Sequence, residues 1–454
     1  MPGSEFDIAD RIISTTVFHW FTPTEGNLWG AWPPLEGRAN WTGETSWWIS
    51  QIKQMMMAHI DIIYIHLIEK FEQQRINLFA ALAELRSYGY DVPKVAPFLD
   101  PLGIWPPKRI DVTQKAGKDE LIRHYVRFFE QYFSVNRDPY AASYLAKIDR
   151  RVVLSSWWTY SIVDNVERLR REDIEDRLHT HFKSRTPVFG NGIYFVANSQ
   201  VNPDFSFADE RAVFFSGFCY AMRSVHNRVH VYHLQPGYWD QNLRHPGYHL
   251  PRLGGQPYRE AWEYLLSQSN PILRVYIESW NEYDESSGIY AADPHTIHRT
   301  PSNKSPIADC WSTTGDPFEY IRTTARGAGA LKNIPGFGSN VMECPKPIAC
   351  RPLEKVAFWI TFRNTGALAW NVAALPAPKT VPLAADFGNI EMEPDPTICR
   401  DLKGYGGVFR GAPLSYHIEL DAPGQVGAHL LRLRLHNSDG EAFGDAIEIR
   451  FDVQ

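Results

Sequence analysis

The sequence predicts an α/β chain in which a (β/α)8 TIM barrel is followed by a C-terminal all-β, immunoglobulin-like sandwich. The chain has 454 residues, a length that suits a barrel of typical size plus one smaller domain. Short β-like runs alternate with helical patterns from about residue 12 to 325, as in repeated βα units. From residue 355, beyond a Pro/Gly-rich segment, strands alternate with turn residues instead. We therefore expect a barrel domain at 1–335 and a sandwich domain at 336–454.

Seven barrel strands are predicted from runs of β-branched and aromatic residues. These strands cover residues 12–20, 60–67, 94–100, 151–158, 192–198, 229–235 and 272–280. An eighth strand is inferred near residues 214–218. Helical spacing predicts helices at 47–58, 77–88 and 120–133, and the second is expected to stop at Gly89.

The composition favours a globular protein that acts on a neutral partner. Charged residues make up 22% of the chain and hydrophobic residues 44%, which excludes extended disorder. The formal net charge is -6 and the basic residues are scattered, so nucleic acid is not expected as a partner. The 15 Trp and 21 Tyr residues often stand beside His, Asn or Asp, a combination that suits sugar rings and their hydroxyls. The alternative for any one Trp is a filler of the barrel core.

Several other kinds of site lack their sequence signatures. The five cysteines include no CxxC pair and no Cys/His cluster at metal-ligand spacing, so no zinc site is expected. A disulfide among Cys344, Cys350 and Cys399 stays open. There is no P-loop, Rossmann fingerprint or H-E-x-x-H helix, and we expect no cofactor. Ser155 and Ser156 stand outside any G-x-S-x-G elbow, which argues against a serine hydrolase.

Location and assembly are left open by the sequence. No stretch approaches the roughly 20 apolar residues of a membrane span. The first residues have neither a basic n-region nor an apolar h-region. A secreted or periplasmic location is expected only where a signal peptide preceded residue 1, and the oligomeric state stays open.

Polar or aromatic residues stand at or just beyond the ends of most predicted barrel strands. In a barrel of parallel strands these ends converge on one face, where active sites are built. Each residue alone fits ordinary loop polarity, and Asp100 before Pro101 also fits a turn cap. Their repetition predicts a substrate-binding site. The predicted residues are His19, Trp20, His66, Asp100, Trp157, Asn198, His233, Gln235, Tyr238, Trp239, Asp240, Trp280 and Asn281.

Two acidic residues just past the last barrel strand are the predicted catalytic pair. Glu282 and Glu285 are separated by Tyr283 and Asp284, so one tight turn can present both carboxylates to one cleft. Glycoside cleavage requires one protonated carboxyl and one charged carboxylate. Different surroundings can give two acids those different pKa values. By itself the spacing is typical of a solvated turn, and the preceding strand with its aromatic end makes it more specific.

The run Ser279-Trp280-Asn281-Glu282-Tyr283-Asp284-Glu285 resembles a known motif. The motif is S-[WF]-N-E-W-x-E-G-[TS]-x-I-E-P of the endo-α-mannosidase family, glycoside hydrolase family 99, which has relatives such as the family 71 α-1,3-glucanases. Residues 18–21, 235–240 and 255–262 resemble further segments of that family, so the resemblance covers roughly the first 300 residues. The chain departs from the motif at Ser286, where Gly is usual, and at Tyr290-Ala291, where Glu-Pro is expected.

The resemblance implies a function and a role for each acid. Glu282 would deprotonate the neighbouring sugar hydroxyl so that an epoxide-like intermediate forms, and Glu285 would be the acid/base. The implied activity is hydrolysis of a neutral oligo- or polysaccharide, with an α-mannan or α-glucan as the expected substrate. The sugar, the linkage, endo or exo cleavage and the anomeric outcome stay open. The alternatives are a non-catalytic carbohydrate-binding barrel and a transglycosylase that uses the same acid pair.

The C-terminal segment resembles a second group of domains. Phe362-Arg363-Asn364-Thr365-Gly366 with Trp370 matches the F-x-N-T-G-x-x-x-W pattern of certain immunoglobulin-like domains. Such domains usually pack on or extend a partner domain. We expect a structural role here, with carbohydrate binding as the alternative.

Overall fold

The computed structural model describes residues 5–23, 28, 30–100, 108–198, 205–212, 219–244, 246–295, 309–380 and 387–454. Its contacts divide the chain into two compact units. The barrel unit comprises Pro2–Glu84 and Val92–Lys332, and the C-terminal unit comprises Leu85–Asp91 and Asn333–Gln454.

Eight strands of the barrel unit lie in one sheet in the order of the chain. They are β1 Ile12–Val17, β2 Ile62–His66, β3 Lys94–Leu99, β4 Arg151–Trp157, β5 Ile193–Asn198, β6 Glu210–Ala212, β7 Val229–Leu234 and β8 Arg274–Ile277. Parallel pairing joins β1 through β6 in succession, and it also joins β7 to β8 and β8 to β1. The seven predicted strands are confirmed. Residues 214–218, where the eighth strand was inferred, lie outside the described residues.

The sheet is nearly closed between β6 and β7. The strand Ala221–His226 pairs antiparallel with β7, and the hydroxyl of Ser224 donates to the carbonyl of Arg211 in β6 at 2.6 Å. The short β6 is also held by Glu210, which lies 3.0 Å from the guanidinium of Arg274 in β8. Glu210 accepts a further hydrogen bond from Tyr194 in β5 at 2.9 Å. The result is a parallel-rich barrel sheet of the kind the sequence predicts.

Seven helices accompany these strands in the described part of the barrel unit. They are α1 Thr45–Met57, α2 Glu72–Ser87, α3 Lys115–Val135, α4 Arg171–His181, α5 Thr186–Phe189, α6 Gln256–Leu266 and α7 Glu319–Lys332. The three predicted helices correspond to α1, α2 and α3, and the second and third begin five residues earlier than predicted. Helix α3 buries Tyr125, Phe128, Phe129 and Tyr132 on one face, as its helical spacing predicts.

Short elements fill the connections of the barrel unit. The two-residue strands are Ile110–Asp111, Lys147–Ile148, Val163–Asp164, Tyr238–Trp239 and His249–Leu250. The 3-10 turns are Arg38–Asn40, Glu69–Phe71, Ala141–Tyr144, Thr159–Ser161, Val166–Arg168, Lys183–Arg185 and Leu253–Gly255. No helix in the described ranges is long and apolar enough to span a lipid bilayer.

The C-terminal unit contains two four-stranded sheets. Its strands are β9 Ser339–Glu343, β10 Ile348–Cys350, β11 Lys355–Asn364, β12 Ala377–Thr380, β13 Ile390–Pro394, β14 Pro413–Asp421, β15 Gly427–His436 and β16 Ala442–Val453. One sheet has the order β9-β11-β14-β13 and the other β10-β16-β15-β12. Phe358 of the first sheet lies 6.2 Å from Phe451 of the second, measured between ring centroids. The unit also has a helix that the all-β prediction lacks, α8 Pro396–Lys403.

The five cysteines are free thiols in the structure. Cys344 is exposed, Cys350 is buried and Cys399 is half-buried. The disulfide that the sequence left open is therefore not formed.

Candidate active site

A cleft of about 500 Å³ opens at the carboxyl ends of the barrel strands. Its lining residues come from the segments that follow β1, β2, β3 and β7, from the end of β4, and from the turn after β8. They are Phe18, Trp20, Phe21, Ile68, Lys70, Phe71, Asp100, Trp157, Leu243, Arg244, Glu282, Asp284 and Glu285. This is the face of the barrel where active sites are built. Five of the residues predicted for the site line it: Trp20, Asp100, Trp157, Glu282 and Glu285.

The turn that carries the two glutamates is held by hydrogen bonds to backbone carbonyls and to a serine hydroxyl. The Trp280 amide donates to the carbonyl of Thr16 in β1 at 2.9 Å. The hydroxyl of Ser279 accepts from the Glu282 amide at 2.6 Å, and the Ser287 amide donates to the Glu282 carbonyl at 3.2 Å. One tight turn therefore brings both glutamates to the same cleft, as the spacing predicts.

The far end of this turn is held by a buried cation. The Nη2 atom of Arg252 donates to the carbonyls of Ser286 and Gly288, each at 2.7 Å. Arg252 is 0% exposed. Its guanidinium carbon lies 5.1 Å from the ring centre of Trp32, 4.4 Å from that of Trp311 and 4.5 Å from that of Tyr320. Cation–π attraction and the two hydrogen bonds stabilise the buried charge and tie it to the turn.

Glu282 has surroundings that favour its neutral form. It is only 8% exposed. Burial raises the pKa of Glu282 well above its ordinary value, and the nearby charges of Glu285 and Asp284 raise it further. A carboxyl in such surroundings keeps its proton at a pH where an exposed glutamate has lost it.

Glu285 has a cationic partner. The Nη1 atom of Arg244 lies 2.9 Å from Oε1 of Glu285 and 2.6 Å from Oδ2 of Asp240. Asp240 in turn accepts from the Tyr238 hydroxyl at 3.1 Å and from the Tyr248 amide at 2.6 Å, so it anchors the arginine. Burial raises the pKa of Glu285, whereas Arg244 opposes the increase. The two glutamates of the cleft thus stand in different electrostatic environments.

Two predicted histidines lie buried beside the cleft wall. Nδ1 of His66 is 3.3 Å from Oδ2 of Asp100, and the His66 ring packs 4.2 Å from Phe18 and 4.9 Å from Trp20 between centroids. Burial lowers the pKa of His66 and of His19 well below the ordinary value. Both imidazoles are neutral at neutral pH, and a neutral imidazole can both donate and accept a hydrogen bond.

A buried histidine–glutamate pair lies at the carboxyl ends of β7 and β8. Nε2 of His233 is 3.0 Å from Oε2 of Glu278, which follows β8 directly and is fully buried. The sequence prediction included His233 and missed Glu278. The signal was available, because Glu278 directly follows β8 as the predicted Asp100 directly follows β3. Gln235, also predicted, is buried just beyond β7.

Other predicted residues lie outside the set that lines the cleft. The Trp280 indole N–H donates to Gln51 in α1 at 3.1 Å. The Asn281 amide bridges both backbone groups of Phe18, with distances of 2.8 and 2.7 Å. Trp239 is fully buried in a two-residue strand with Tyr238. The side chain of Asn198, the last residue of β5, lies outside the described part of the chain.

The prediction missed eight residues that line the cleft. They are Phe18, Phe21, Ile68, Lys70, Phe71, Leu243, Arg244 and Asp284. Within the described ranges, no group of three or more His, Cys, Asp or Glu side chains is placed to hold a metal ion.

Comparison with solved structures relates the chain to glycoside hydrolases. The GH99 endo-α-mannosidase from Bacteroides thetaiotaomicron matches with a TM-score of 0.51 and 12% identity, over 72% of this chain and 98% of that chain. Its complex with BIS-TRIS-propane matches with a TM-score of 0.49 and 13% identity, over 71% and 98%. No family model matches the chain, and no curated protein matches it. At this identity the likeness concerns the fold, and the resemblance predicted from the sequence is confirmed at that level: the chain shares the fold of a family 99 endo-α-mannosidase.

Proposed function

We propose that the protein is a glycoside hydrolase that cleaves a glycosidic bond in a neutral oligo- or polysaccharide, with Glu282 and Glu285 as its catalytic carboxyls. One observation carries the proposal: a single turn presents two largely buried glutamates to one cleft, and of these two only Glu285 pairs with an arginine in the described part of the chain. Glycoside cleavage uses such a pair, one neutral and one charged.

The electrostatics of the cleft suggest how the pair divides the proton. Burial and the neighbouring carboxylates favour the neutral form of Glu282, and Arg244 favours the charged form of Glu285. This division makes Glu282 the acid and Glu285 the base or nucleophile before substrate binds. It is the reverse of the roles that the family motif implies. The two carboxyls interact, so the apparent pKa values describe the pair rather than either residue. Kinetic measurements on variants, rather than the motif, assign the two roles.

The walls of the cleft suit a neutral sugar chain. Trp20 and Trp157 offer aromatic faces for the apolar sides of sugar rings. Asp100 offers a carboxylate for sugar hydroxyls in the same cleft. The solved structure with the same fold is named an endo-α-mannosidase, and together with the motif this favours an α-linked mannan or glucan as the substrate.

We propose that residues 336–454 form an immunoglobulin-like sandwich with a structural role. Its F-x-N-T-G motif is occupied by internal contacts: the Asn364 amide donates to the carbonyls of Leu368 and Val408 at 2.8 and 2.7 Å. The Gly366 amide donates back to Oδ1 of Asn364 at 2.8 Å. Trp370 is buried against Phe443, with 5.9 Å between ring centroids. These residues stabilise a turn of the unit, so the motif does not mark a ligand site.

A glycan panel tests the proposed function. The full chain is incubated with α- and β-linked manno- and gluco-polysaccharides, and new reducing ends are measured with and without acceptor sugars. We expect reducing ends to appear with an α-linked glycan. Transfer products in the presence of acceptors would assign a transglycosylase instead. Binding without any product would favour a non-catalytic carbohydrate-binding barrel, and neither binding nor product would reject the proposal.

A further inference from the structure

Trp158 combines two properties that a bulky side chain rarely has together. It is 39% exposed, and its backbone is left-handed, with φ 43° and ψ 33°. An L-residue with a large side chain avoids this region because its Cβ crowds the following carbonyl. A conformation of this kind persists only where the surrounding structure holds it, and such residues cluster at functional sites.

The segment that carries Trp158 is held from both sides. Thr159 is buried, and its hydroxyl hydrogen-bonds the hydroxyl of Ser156 in β4. The guanidinium of Arg109 donates to the Tyr160 carbonyl at 2.8 Å and lies 2.6 Å from Oδ1 of Asp164. These contacts fix the backbone on each side of Trp158, whose side chain stays partly exposed.

The exposed indole continues an aromatic row that begins inside the cleft. Trp157 lines the cleft together with Glu282. The ring of Trp158 lies 5.6 Å from that of Trp157, and the ring of Tyr160 lies 6.0 Å from that of Trp158, between centroids. The planes of neighbouring rings differ by 48° and 83°. Neighbouring rings of the row are therefore not coplanar.

We propose that Trp157, Trp158 and Tyr160 form an aromatic tract that binds the outer sugar residues of an α-linked chain. The proposal rests on the proposed function and adds a site beyond the two acids. Aromatic faces bind the apolar faces of sugars, and a rigid row loses little conformational entropy when it does so. The α linkage of the chain is that of the proposed function.

Trp158→Gly is the most informative variant. Glycine adopts the left-handed region without strain, so the backbone of the segment is preserved while the indole is lost. Trp158→Phe keeps a ring at the same place. Tyr264→Ala removes an exposed aromatic residue from α6, on the outside of the barrel, and serves as the matched control.

The test is the affinity of the full chain for sugar chains of increasing length. Each variant is combined with Glu282→Gln to prevent turnover, and calorimetry measures Kd for α-linked manno- and gluco-oligosaccharides of two to six residues. With Trp158 present, Kd should fall about ten-fold from the shortest to the longest chain. Trp158→Gly should abolish this gain without lowering Tm, whereas Trp158→Phe should keep part of it and Tyr264→Ala all of it.

Four results would overturn the proposal. An equal gain in affinity with length in Trp158→Gly would show that the tract does not bind the chain. So would an equal Trp158-dependent gain with cello-oligosaccharides, because the tract would then not distinguish an α-linked chain. Absence of binding for every sugar would reject the proposal together with the proposed function, whereas length-independent binding would reject the proposal alone.

Discussion

Arg244 pairs with Glu285, with 2.9 Å between Nη1 and Oε1, and no ion pair joins Glu282 to a cation in the described part of the chain. Asp240 binds the same guanidinium at 2.6 Å and keeps it in place. The pair of acids is therefore asymmetric before any substrate arrives. The predictions below follow from this asymmetry and from the way the turn is held.

Removal of the arginine should change how Glu285 titrates. In Arg244→Met the charged form of Glu285 loses its partner, so its pKa should rise. The limb of the pH–rate profile that reports Glu285 should move to higher pH, and kcat/KM should fall about 10- to 100-fold. Arg244→Lys keeps a positive charge and should shift the limb less. A profile identical to wild type in Arg244→Met would disprove the contact's effect on the acid.

Glu282 should lower the stability of the folded protein at neutral pH. Its folded-state pKa lies well above the ordinary value of 4.5, so the unfolded chain loses this proton first as pH rises. The contribution of Glu282 to stability is therefore fully present below pH 4.5 and is lost as pH rises through the folded-state pKa. Glu282→Gln has no proton to lose. Its Tm should match wild type at acidic pH and exceed it increasingly toward neutral pH, in thermal scans across that range. A constant Tm difference would contradict the raised pKa.

Arg252 should be important for the geometry of the catalytic turn. Arg252→Met leaves the carbonyls of Ser286 and Gly288 without their donor, which should cost about 2–4 kcal/mol of unfolding free energy. Urea denaturation measures this loss. The folded variant should also show a lower kcat, because the turn no longer holds the two carboxyls in their relative positions. Arg322→Met removes a surface ion pair with Asp316 and should change stability by less than about 1 kcal/mol. Equal losses in the two variants would contradict the role of Arg252.

The leaving group of the substrate should reveal which glutamate is the acid. A dinitrophenyl glycoside departs without protonation, so a variant that lacks the acid should regain activity on it relative to a natural glycan. The electrostatics of the cleft predict that regain for Glu282→Gln, and the family motif predicts it for Glu285→Gln. Comparison of kcat/KM for the two substrates in the two variants decides between them. No regain in either variant would indicate that neither residue is a general acid.

Much of the barrel could be predicted because its strands are apolar runs. Strand β6 could not, since Glu210–Ala212 has three residues and its glutamate is buried against Arg274 at 3.0 Å. A charged residue is expected at the surface, and only the ion pair makes its burial acceptable. Helix α8 was missed although Asp395 and Pro396 form an N-terminal helix signal, in which Asp395 caps the Thr397 amide at 2.8 Å. A helix of eight residues has only about two turns, too few for a helical repeat of apolar residues to stand out in the sequence.

The candidate site was predicted in its acids and less well in its walls. Glu282 and Glu285 were visible because spacing and motif agree. Arg244 and Arg252 were not predicted, because the sequence reveals neither the partner nor the burial of an arginine in a loop. Trp280 illustrates the opposite limit: it stands beside the acids in the chain, yet its ring points into the core, where it meets Gln51. Adjacency along the chain does not set the direction of a side chain at the end of a strand.

The central claim is tested most directly by the kcat/KM of four proteins on the glycan that the panel identifies. These are the wild type, Glu282→Gln, Glu285→Gln and Glu263→Gln, which replaces an exposed glutamate of α6 as a matched control. We predict a loss of at least about 100-fold in each of the first two variants, with the control close to wild type. Wild-type activity in either Glu282→Gln or Glu285→Gln, in a protein with unchanged circular dichroism, would contradict the assignment of this pair.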